Sequence, residues 1–252
     1  MGHNTKFKFI VFFFLPAVFF AQVTDEERDY YNWFDQTIGQ DHIGLYNGKQ
    51  YIDTDKNVLY DNEKHAYFKS NEFLKGNLTY DNQAYYNSYM QYNLETDDLV
   101  ISLKSERAVS VFKLIRDKVD KFDIDGHTFI KIIGFSENSE VINGFQEVLL
   151  ENASFTLLKR HKKNRQKKIK QLGRRRHLYY LFLSSNNYGI LMGREYKKIN
   201  SKSDIIKLFP NLKKEINSYY HENWRLRKSQ PDRFIKMLFS KVIVSSLSQK
   251  ES

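Results

Sequence analysis

Cysteine is absent from all 252 residues, and with it go disulfides, thiolate metal sites, cysteine nucleophiles and a lipid-modified N-terminal cysteine. A chain without cross-links must hold itself together by burial, so a core of ordinary size is required. Glycine-rich phosphate loops are missing too. Gly134-Phe-Ser136-Glu137-Asn138 lacks the second glycine of a nucleophile elbow, which leaves Ser136 a poor hydrolase signal. Past residue 21 the histidines are His42, His65, His127, His161, His177 and His221. No two stand at the i, i+2 or i, i+4 spacing with which one strand or helix clamps a metal. Proline occurs 3 times, and two of these, Pro210 and Pro231, fall where helices should begin.

Calcium chemistry is equally poorly served. Asp53-Thr-Asp55-Lys-Asn57 sets oxygen ligands at alternate positions, but Val58 stands where glycine is needed and Lys64 where a bidentate glutamate is needed. The segment reads as an Asx-rich turn. Neither a cofactor nor a metal is expected, and no catalytic residue is assigned.

One apolar run is present. Phe9 to Phe20 follows Lys6 and Lys8 and ends in Ala21-Gln22, the charged, apolar, small-residue order of a secretory signal. Its 12 residues fall short of the roughly 20 that a bilayer-spanning helix needs. Residues 1–21 are therefore expected to be a cleavable signal peptide, with the cut near Ala21/Gln22. Residues 22–252 then act outside the cytoplasm, in the periplasm, at the outer-membrane periphery or beyond the cell, as a single domain with no membrane-spanning segment.

Charge is sharply divided. Residues 22–158 carry 13 Lys/Arg against 24 Asp/Glu, a net of −11, and residues 177–252 carry 14 against 6, a net of +8. Between them residues 159–176 hold 11 basic residues and no acid. Lys159, Arg160, Lys162, Lys163, Arg165, Lys167, Lys168, Arg174, Arg175 and Arg176 form the candidate anion-binding group, expected on a solvated hairpin loop. Such density suits phosphates or sulfates, or the acidic half of the same chain. For an exported protein the accessible partners are anionic lipid head groups, acidic polysaccharide or an acidic protein. Nucleic acid is disfavoured, because no aromatic residue interleaves the run.

Periodicity predicts an α+β protein: an antiparallel β-meander with an N-terminal helix and two to three C-terminal helices. Residues 22–65 read as a helix, Asp25 to Thr37 with Tyr30, Trp33, Phe34 and Ile38 on one side, and a loop lead-in. Residues 66–199 break into short β-branched and aromatic runs divided by Asp81-Asn82, Asp97-Asp98, Asp125-Gly126 and Asn186-Asn187, pairs that suit tight hairpins. Tyr80, Tyr85, Tyr86, Tyr89 and Tyr92 on neighbouring strands are read as cross-strand packing rather than a sugar platform. Residues 200–248 carry helical patterns, a short one capped near Ser203 and others beginning at Pro210 and Pro231.

The Phe-rich opening, Trp33-Phe34-Asp35 with Gly44-Leu45-Tyr46-Asn47-Gly48, the Gly76-Asn-Leu-Thr-Tyr80 to Tyr85 hairpin and the Leu208-Phe209-Pro210 step together resemble signal-bearing, functionally uncharacterised envelope proteins of Gram-negative bacteria of the Bacteroidota type. The resemblance implies an envelope address and carries over no site residue. The function expected is that of a non-enzymatic binding or structural protein of the envelope; the alternative is a secreted hydrolase whose carboxylate and histidine groups come together from distant positions.

Overall fold

The protein is described by a computed structural model covering residues 25–38, 44–47, 49–51, 59–60, 64–104, 109–135, 141–172 and 175–245. The signal segment, His42, the Asp53-Asp55-Asn57 turn, Ser136 and Arg174 lie outside the described residues. Helix α1 (Asp25–Ile38) comes first, then a 3-10 turn at Gly44–Asn47 and two short strands, β1 (Lys49–Gln50) and β2 (Leu59–Tyr60). The hairpin region is β3 (Leu74–Tyr80), β4 (Gln83–Asn93), β5 (Asp98–Lys104), β6 (Val109–Lys113), β7 (Val119–Ile124) and β8 (His127–Phe135). It continues as β9 (Val141–Glu151), β10 (Thr156–Arg160), β11 (Lys163–Leu172), β12 (Arg175–Ser184), β13 (Asn187–Met192) and β14 (Glu195–Ile199). The helices α2 (Lys202–Leu208), α3 (Lys213–Glu222), α4 (Trp224–Ser229) and α5 (Pro231–Leu238) follow, and α5 runs on as a π-helical segment, Phe239–Val244.

The fold is α+β and its large sheet is antiparallel, but Asn186-Asn187 does not close the expected hairpin, since it joins β12 to β13, which lie in different sheets. Among the described residues an eleven-stranded sheet runs β1-β6-β5-β4-β3-β7-β8-β9-β10-β13-β14, antiparallel at every step. The acidic turns work as expected: Asp81, Asn82, Asp97, Asp125 and Gly126 all take positive φ, which Asn, Asp and Gly tolerate best. The helical end differs in detail. Ser201, not Ser203, opens α2, in a capping box with Asp204, and the helix expected from Pro210 is divided at Asn223, whose side-chain amide donates to the Tyr219 carbonyl at 3.0 Å.

Among the described residues the buried apolar side chains form three cores, the smallest being Ile132, Ile142, Leu158 and Tyr196. The first is aromatic: Phe122 and Phe129 stack at 4.8 Å, and Tyr92 and Phe145 meet Phe122 edge-on. Tyr80 and Tyr85 are buried there too, so three of the five expected tyrosines pack inside, while Tyr89 is exposed. The second core joins Leu149, Leu157, Ile190 and Ile199 of the sheet to Ile205, Ile216, Ile235, Leu238 and Phe239 of the helices. Each such side chain contributes about 1.5–3 kcal/mol through burial. Helix α1 departs from its expected role: Tyr30 and Trp33 are exposed, and Tyr31 lies against Tyr86.

Residues 159–176 are not the loop that their charge suggests. Lys159 and Arg160 end β10 inside the large sheet, β10 pairs directly with β13, and β11 and β12 leave as a ribbon of ten paired positions, Lys163↔Ser184 to Leu172↔Arg175. Alternation of side chains along a two-stranded ribbon puts sequence neighbours such as Lys167 and Lys168 on opposite faces, which spreads their charge. Strand β2 pairs with β12 in parallel at Tyr179 and Tyr180, giving a three-stranded sheet β11-β12-β2.

Candidate functional site

The expected cation group splits into an inward and an outward set. Lys159 is buried, its side chain 7% exposed, and its Nζ donates to Asp232 Oδ2 at 2.6 Å. Tyr188, directly opposite Lys159 on β13, donates its hydroxyl to the other oxygen of the same carboxylate at 2.6 Å. Asp232 follows Pro231 in the first turn of α5, where a carboxylate also meets the positive end of the helix dipole. Burial first, then the Asp232 carboxylate, raise the Tyr188 phenol far above its ordinary value, so it stays a donor.

Lys163 faces inward as well. Its Nζ donates to the carbonyls of His65 and Tyr67 at 2.7 and 2.8 Å, and burial lowers its pKa. Arg165 forks onto Glu95, Nε to Oε1 at 2.9 Å and Nη2 to Oε2 at 2.8 Å, while its guanidinium lies 5.2 Å from both the Tyr180 and Phe182 ring centres. A bidentate, ring-stacked arginine is a strong, directional tether. These three residues fasten the chain rather than present charge. A buried lysine is a correction to the expectation of a wholly solvated segment, and the acidic half supplies its share of the reason: Glu95 meets Arg165 across the fold.

Lys162, Lys167, Lys168 and Arg176 are exposed, and among the described residues no carboxylate pairs with them. The side chains of Lys170 and Arg175 are outside the described set. Arg160 is half-buried beside Asp97, whose carboxyl is raised chiefly by burial and lowered in turn by the Tyr92 hydroxyl and the Arg116 and Arg160 guanidiniums. Of the outward set Lys167 and Lys168 lie on β11, Arg176 on β12, and Lys162 just before the ribbon.

A second polar group, not anticipated from spacing, sits on the large sheet. Glu147 of β9 lies opposite Phe129 on β8 and Lys159 on β10, so pleating brings His127 and His161, two residues away on either side, to the same face. His161 Nε2 lies 2.6 Å from Glu147 Oε2, and His127 Nδ1 hydrogen-bonds Oε1. The carboxylate is 8% exposed. Burial pushes it upward, but the hydrogen bonds from His161 and then His127 outweigh burial and hold it down at about 2. His161 is kept below its ordinary value, first by burial, with Lys159 adding repulsion against the Glu147 bond. It thus donates a neutral N–H, walled by the rings of Phe68 and Phe129.

Such a carboxylate can orient an imidazole for proton transfer. Among the described residues no serine or threonine hydroxyl bonds to either ring, and no cluster of three or more His, Asp or Glu is arranged to hold a metal. The group ties β8, β9 and the end of β10 together. Its sequence signal is the polar Gln146-Glu147 pair set between the apolar Phe145 and Val148-Leu149-Leu150. Among the described residues no helix is long and apolar enough to cross a membrane. No family model, curated protein or solved structure matches the chain, so its site is read from geometry alone.

Proposed function

We propose that this is an exported, non-enzymatic protein that binds an anionic surface or partner through the β11–β12 ribbon. The observation that carries the reading is the outward set on that ribbon: Lys167, Lys168 and Arg176 exposed on paired strands whose base is fixed by Lys163 and Arg165. A fixed array of cations meets an anionic surface at lower entropic cost than a disordered run would. Each cation held near such a surface contributes about 1 kcal/mol, screened by salt. Export rests on the Phe9 to Phe20 segment.

The test is binding of the protein recovered from its host to anionic vesicles and to an acidic polysaccharide across a salt series, with intact mass of the recovered form. Salt-sensitive binding that disappears in Lys167→Gln/Lys168→Gln/Arg176→Gln supports the reading, and unchanged binding in that variant overturns it. A mass starting near Gln22 supports export; a full-length cytoplasmic form overturns it. The hydrolase alternative makes a separate claim, turnover lost in Glu147→Gln, since Glu147 with His127 and His161 is the buried acid and imidazole group that distant segments bring together.

A further inference from the structure

Resting on that reading of the ribbon, the geometry points to one partner class: we propose that the ribbon lays one face on an anionic lipid bilayer and inserts Ile169 and Leu178 among the acyl chains. The two residues are directly opposite in the β11–β12 register and are 65% and 41% exposed. Pleating puts the neighbouring register pairs, Lys167↔Tyr180 and Gln171↔Arg176, on the same face. Along that face a cation, an apolar pair and a second cation follow one another.

A soluble polyanion is satisfied by the cations alone and gains nothing from two branched aliphatic side chains, which offer neither a stacking plane nor a hydrogen bond. Keeping them in water is a cost that an acyl layer removes. Lys167 and Arg176 have stems long enough to stay at head-group level while the pair between them sinks, and Tyr180, part-buried beside Lys167, is the residue type that favours that interface. Apolar insertion combined with flanking cations is the pattern of proteins that lie on a membrane rather than cross it.

The chain contains no cysteine, so Ile169→Cys in the full-length protein gives a single thiol for a polarity-sensitive fluorophore, with Arg194→Cys on the β13–β14 turn as control. The expected result is a blue shift at position 169 on phosphatidylglycerol-containing vesicles, quenched by acyl-brominated lipid, and none on phosphatidylcholine alone or at position 194. The readout is local, so the shared Phe9 to Phe20 run does not enter it. If position 169 stays water-like while binding to an acidic polysaccharide is still abolished in Lys167→Gln/Lys168→Gln/Arg176→Gln, the bilayer inference fails and the ribbon reading stands. If the triple variant binds vesicles and polysaccharide as the parent does, or the parent binds neither, both fail.

Discussion

Lys159 Nζ stands 2.6 Å from Asp232 Oδ2, across 73 residues of sequence, and this pair joins the strand that opens the basic run to the last helix of the chain. The lysine is buried and the aspartate half-exposed, so the energetics are asymmetric. Removing the carboxylate strands a desolvated ammonium, whereas removing both charges does not.

Asp232→Ala is therefore expected to lower unfolding stability by about 3 kcal/mol, with Lys159→Met/Asp232→Ala recovering a large part of that loss. Chemical denaturation of the two single variants and the double variant gives the coupling. Equal losses in Asp232→Ala and the double variant would remove the pair from the list of stabilising contacts.

Stability should fall as the solution is acidified, in two stages. His161 has a folded pKa below its ordinary 6.5, so the unfolded chain binds its proton first and stability declines as pH drops below about 6.5. Glu147 has a folded value of about 2 against an ordinary 4.5, so its contribution, at most about 3 kcal/mol, is complete above 4.5 and is lost between 4.5 and 2. Glu147→Gln should abolish the second stage and His161→Gln the first; a pH-stability curve identical to the parent in either variant contradicts the assignment.

Gly144 sits at φ +146, and a Cβ there would run into Asp97 Oδ2. Both the backbone conformation and the crowding exclude a side chain, so Gly144→Ala should cost about 2 kcal/mol or more. The Asp97 carboxylate is itself held by the Tyr92 hydroxyl at 2.6 Å, which limits its retreat. Thermal unfolding of Gly144→Ala beside Gly134→Ala, a site with nothing within 4 Å, checks the point, and matching transitions would refute it.

The two sets of cations should respond oppositely to neutralisation. Lys167→Gln, Lys168→Gln and Arg176→Gln should each leave stability within about 0.5 kcal/mol. Lys163→Gln, which loses charged bonds to the His65 and Tyr67 carbonyls, should cost about 1–3 kcal/mol. A stability loss of that size from the outward residues would mean that they, too, fasten the chain.

Antiparallel pairing, the acidic turns and the helical end were legible because they rest on local chemistry. Asp81-Asn82 and Asp125-Gly126 announce positive φ, and alternating residues announce a half-buried strand. The ribbon was not legible, because charge density hides strand propensity: Lys163 to Leu172 forms β11 by pairing with the Tyr- and Leu-rich β12, a long-range cause. The Glu147 group needed the register of three strands, which no spacing within one segment encodes. Lys159 shows the limit of composition most clearly, since its neighbours in sequence mark it for solvent and its neighbours in space do not.

Among the described residues the ribbon leaves one side of β11 without a strand beside it in the order β11-β12-β2. An open edge of that length is an invitation for another molecule to continue the sheet. Here the strand carries the exposed Lys167 and Lys168, so a second copy pairing along it would bring like charges together. Lysines on an edge strand disfavour pairing with a like strand, so a neighbour bringing negative charge would meet that side at the lower electrostatic cost.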